Sequence, residues 1–79
     1  MMTEQAREDL TERCKRARAD IASLLDWMEC ELEKDEADEP TWATLGSLDH
    51  VRDDLKNVLA FFSGVETAEI ERSLDELHA

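Results

Sequence analysis

His50 and Asp54 stand at i and i+4 in the stretch Asp49-His50-Val51-Arg52-Asp53-Asp54, a spacing at which two side chains of one helix could ligate a metal ion. The pattern supplies no third fixed ligand. Arg52 and Lys56 nearby make a solvated helix face the simpler reading. Asp75-x-x-His78 approximates the Glu-x-x-His signature of carboxylate-bridged di-iron bundles, but it occurs once, with the wrong acid. The run Lys34 to Glu39 is rich in carboxylates yet lacks the glycine-centred loop that a specific calcium site needs.

Nucleophilic chemistry finds little more. Cys14 lies among bases in Arg13-Cys14-Lys15-Arg16, which would favour a thiolate if it were exposed, whereas its place on an apolar helical seam predicts burial. Cys14 and Cys30 on one helix would be about 24 Å apart at 1.5 Å per residue, out of disulfide reach within a chain. Free thiols follow. No glycine-rich phosphate loop is present, and no Ser or Thr sits in a catalytic motif. These absences point to a protein that is not an enzyme and needs no cofactor or metal.

The elements that position these residues are helices. With 79 residues, two glycines and one proline, and with 42% hydrophobic and 38% charged residues, the chain reads as one small, folded, all-α domain. Apolar residues fall at Leu10, Cys14, Ala17, Ile21, Leu24, Met28 and Leu32, a heptad-like stripe widened by Leu25 and Trp27. This predicts a first helix over about 4–33. An acidic loop follows at 34–39, and Pro40 suits the first turn of a second helix over about 40–63. Its stripe is Trp42, Leu45, Leu48, Val51, Leu55, Val58, Leu59 and Phe62. Gly46-Ser47 either admits a close helix approach or marks a fresh start, and one continuous helix is the preferred reading. Gly64 stops it. Val65 and Ile70 have hydrophobic-staple spacing, and a third helix over about 67–77 presents Ile70, Leu74 and Leu77 inward.

The expected architecture is an antiparallel helical hairpin with a short third helix, completed as a bundle by dimerisation. A first helix near 45 Å outreaches a second near 35 Å, so its N-terminal turns need cover from helix 3 or a second subunit.

Charge refines this. The net charge is −12, and residues 1–20 contribute none of it, since five acids face Arg7, Arg13, Lys15, Arg16 and Arg18. Residues 21–41 carry eight acids against Lys34, or −7, and residues 42–79 carry eight against Arg52, Lys56 and Arg72, or −5. Such acidity disfavours direct binding to nucleic-acid phosphates or anionic membranes. The four bases from Arg13 to Arg18 are expected to pair internally, with Asp53 and Asp54 in the hairpin or with Glu29 and Glu31 of an antiparallel second copy. The acidic hairpin end then becomes the expected contact for a basic protein surface. Trp27, Glu29, Glu31, Glu33, Asp35, Glu36 and Phe61 are the candidate partner-binding residues. The expected function is a small acidic adaptor or regulator acting as a homodimer; the alternative is an acidic mimic of nucleic acid that blocks a DNA- or RNA-binding protein. The start Met1-Met2-Thr3-Glu4-Gln5 shows no secretory signal pattern, and no apolar run reaches membrane-span length, so a cytoplasmic location is expected.

Overall fold

Thr3 opens the first helix by accepting a hydrogen bond from the Ala6 N–H at 3.1 Å, and Glu4 in the first turn complements the positive end of the dipole. With neither glycine nor proline to interrupt it, α1 runs from Glu4 to Glu36, 33 residues or about 50 Å. The computed structural model describes residues 2–79. Lys34, Asp35 and Glu36, assigned by sequence to the acidic loop, are the last turn of this helix. Nothing in them breaks a helix, and Lys34 is the basic residue its C-terminal end favours. The Ala37 N–H closes the turn on the Lys34 and Asp35 carbonyls.

Pro40 lies outside the second helix, contrary to the expectation that it would occupy the first turn. Thr41 takes the N-cap in a reciprocal capping box: its hydroxyl accepts from the Thr44 N–H at 3.1 Å, and its own N–H donates to the Thr44 hydroxyl at 3.2 Å. From there α2 runs unbroken from Trp42 to Ser63, through Gly46-Ser47. A Cβ placed on Gly46 would meet nothing within 4 Å.

Gly64 ends α2 in the left-handed region, with φ of 77°, and its N–H returns to the Ala60 carbonyl at 3.0 Å. The Ser63 hydroxyl donates to the Leu59 carbonyl at 2.7 Å and accepts from the Val65 N–H at 3.1 Å, which fixes the exit of the chain. α3 spans Thr67–Leu77. Among the described residues no strand occurs.

The chain divides into two units, Met1–Glu39 and Pro40–Ala79. In the second, α3 packs on α2 through Ile70 and Leu74, both half-buried, with Val51, Lys56 and Ala60 also half-buried on α2. Leu77, expected on the same inner face, is 74% exposed; the covering of that face stops at Leu74. Among the described residues of the first unit only Met28 and Asp35 are half-buried. No described residue in either unit is fully buried.

Candidate functional site

The candidate residues of α1 separate by helical angle into two sets. At 100° per residue Glu29, Glu33 and Glu36 share one face with Asp26, on the side away from the apolar stripe. Glu31 and Asp35 fall on the stripe itself, extending the lines of Leu24 and Met28. Spacing alone contained this division, but a reading by net charge per segment treated all five as one patch.

Trp27 and Glu31 are joined. The Trp27 indole N–H donates to Glu31 Oε1 at 3.0 Å, and Lys34 Nζ reaches the same oxygen at 3.3 Å. Both donors favour the ionised carboxylate, the indole more than the ammonium, and hold Glu31 below the ordinary carboxylate range. Trp27 remains 65% exposed, so the bond orients the ring along the flank of the stripe without covering it. The i, i+4 spacing of an indole donor and a carboxylate was the signal for this contact.

Along the stripe Leu10, Ile21, Leu24, Leu25 and Leu32 are each about half exposed. Cys14, expected to be buried at its seam position, is exposed, as is Cys30. The bases of the N-terminal half include Arg13, which pairs with Asp9 one turn earlier at 3.2 Å.

Phe61 sits on α2 and is 89% exposed, about 100° of helical rotation from its neighbour Phe62. Leu55, Val58 and Phe62 form an exposed apolar side of α2, and Phe61 lies off that side. Phe61 therefore belongs to neither the α3 contact nor the main apolar face.

A polar contact that sequence reasoning missed ties the second unit together. Arg52 Nη2 donates to Glu71 Oε1, and Lys56 Nζ reaches Glu71 Oε2 at 3.1 Å. One carboxylate on α3 is thus gripped by two bases a turn apart on α2. The grip holds Glu71 below the ordinary carboxylate range, Arg52 contributing first and Lys56 second, and raises the Arg52 guanidinium in turn. Two bases at i, i+4 beside an apolar stripe were the available signal, but they were read as part of a solvated helix face; Asp53 also lies 3.5 Å from Arg52.

The His50 and Asp54 pair considered for metal binding is closed on itself, Nε2 to Oδ2 at 3.2 Å. No group of three His, Cys, Asp or Glu side chains is placed to hold a metal ion among the described residues. None of their helices is long and apolar enough to cross a membrane.

The chain matches no protein-family model, no curated protein and no solved structure.

Proposed function

We propose that this chain is a non-enzymatic interaction protein that works as a homo-oligomer, most simply a dimer, and presents an acidic helix face to a basic protein partner. The observation that carries the proposal is the absence of any fully buried residue from three helices that each bear an apolar face. A helix gains most of its stability in a protein from covering such a face. Covering a half-exposed Leu or Ile contributes about 1 kcal/mol, and α1 alone carries five such side chains.

In this reading a second copy covers the apolar stripe of α1 and completes a helical bundle. Asp26, Glu29, Glu33 and Glu36 stay outside it because they lie away from the stripe. Their carboxylates recur every three or four residues on one face, which suits a basic helix or groove. Acidic mimicry of nucleic acid would call for carboxylates over one continuous surface; the neutral first 20 residues favour the adaptor reading instead.

Circular dichroism on dilution tests the proposal. A fold completed by its own copy loses helicity as concentration falls below the dissociation constant. Helicity that stays constant from millimolar to nanomolar protein contradicts it.

A further inference from the structure

We propose that α1 pairs with α1 of a second copy in an antiparallel seam centred on residue 19, which places Leu10 against the second copy's Met28, Cys14 against its Leu24, and Ala17 against its Ile21. This rests on the homo-oligomer reading above and specifies its geometry. In an antiparallel pair of heptad helices the two seam positions, one led by Cys14, Ile21 and Met28 and the other by Leu10, Ala17 and Leu24, face each other. Only certain registers keep every layer apolar. With paired positions summing to 38, the two-fold axis generates six apolar layers. The four inner layers match large to small, Ile21 with Ala17 and Leu24 with Cys14, which is how facing side chains interdigitate.

The layers beyond the apolar ones select the same register. The next seam position toward the N-terminus is Arg7, and in this alignment it meets the second copy's Glu31. Glu31 is the carboxylate already ionised and oriented by Trp27 and Lys34. Trp27 flanks the seam, 65% exposed, and on that flank its counterpart is the second copy's Arg13, a guanidinium over an indole face. The neutral, base-bearing half of each helix thereby lies along the acidic half of the other. The cost falls at the axis, where Arg18 meets Arg18 on one flank and Asp20 meets Asp20 on the other.

Two other arrangements fare worse. Centring the antiparallel pair between residues 22 and 23, which the charge halves alone suggest, sets Leu10 against Asp35 and Cys14 against Glu31, with carboxylates inside the apolar seam. A parallel in-register pair stacks Arg7 on Arg7, Glu31 on Glu31 and Asp35 on Asp35. Only the seam centred on residue 19 pairs each charged seam end with an opposite charge or a neutral group, Thr3 facing Asp35.

Cysteine mapping tests the register. In the full chain carrying Cys30→Ser and Leu24→Cys, residues 14 and 24 of one helix are about 15 Å apart and cannot bridge within the chain. Mild oxidation followed by peptide mass mapping is expected to give a dimer linked Cys14 to position 24 of the second copy. Links of 14 to 14 and 24 to 24 overturn the seam and establish a parallel pair, leaving the homo-oligomer reading intact. A monomer in sedimentation with no crosslink overturns both. Because Leu24→Cys removes apolar surface, charge exchange in the Leu24-containing chain provides a second measurement. Arg7→Glu is expected to weaken self-association roughly tenfold, since two equivalent ion pairs are lost per dimer, and Arg7→Glu with Glu31→Arg to restore it. Failure of the exchange to restore association overturns the seam.

Discussion

Glu71 carries the densest polar chemistry in the molecule. Its two oxygens are shared between Arg52 and Lys56, which joins α3 to α2 at a level where the apolar contact is limited to Ile70 and Leu74. Since Glu71 is held below the ordinary carboxylate range, the stability it lends is present above the unfolded carboxylate pKa of about 4 and is lost as pH falls through the depressed folded value. We expect Glu71→Gln at pH 7 to release α3 first, seen as faster amide exchange from Thr67 to Leu77 with α1 unchanged. The wild type should show the same local loosening only under acid. Unchanged exchange in α3 would show that the apolar contact alone holds it. At this scale the sequence was least legible. The Glu71 grip joins residues 15 and 19 positions apart, and no local pattern encodes which of the eight acids beyond Trp42 two bases will choose.

At the scale of elements the determinants are local, and most of them can be read in sequence. The end of α2 follows from Gly64, whose φ of 77° other residues adopt only at a cost. Because a Cβ there meets nothing within 4 Å, Gly64→Ala is expected to destabilise by about 1 kcal/mol through the backbone alone. Gly46 has the same open surroundings in a regular helix, so Gly46→Ala is expected to stabilise by about 0.5–1 kcal/mol. Thermal unfolding of the two variants should therefore shift in opposite directions. A loss on Gly46→Ala would instead reveal a second helix approaching that position. Thr41→Ala removes both hydrogen bonds of the capping box and should cost about 1 kcal/mol. Besides the start of α2, the boundary read differently from sequence was the end of α1. The lack of apolar periodicity from Lys34 to Pro40 suggested a loop, but a polar run can continue a helix, and the first true breaker is Pro40.

For the whole molecule the deciding fact is uncovered apolar surface. Heptad spacing specified which residues form the stripe of α1, and net charge per segment located its acidic half. Neither says what covers the stripe, because that depends on a neighbouring surface rather than on the helix itself. In the proposed dimer a second copy takes that role, while Asp26, Glu29, Glu33 and Glu36 remain outward for a basic partner. Reversal of the outward face, Glu29→Lys with Glu33→Lys, should then abolish binding to a basic peptide and leave self-association unaltered; a parallel loss of both would place these residues in the subunit contact.

Sedimentation equilibrium of the full chain at micromolar concentration distinguishes a self-associating chain from a monomer. A dimer has a mass of twice the 9.1 kDa chain, falling reversibly toward one chain on dilution, and this is the expected result. A folded, helical species that remains at 9.1 kDa across the concentration range would contradict it.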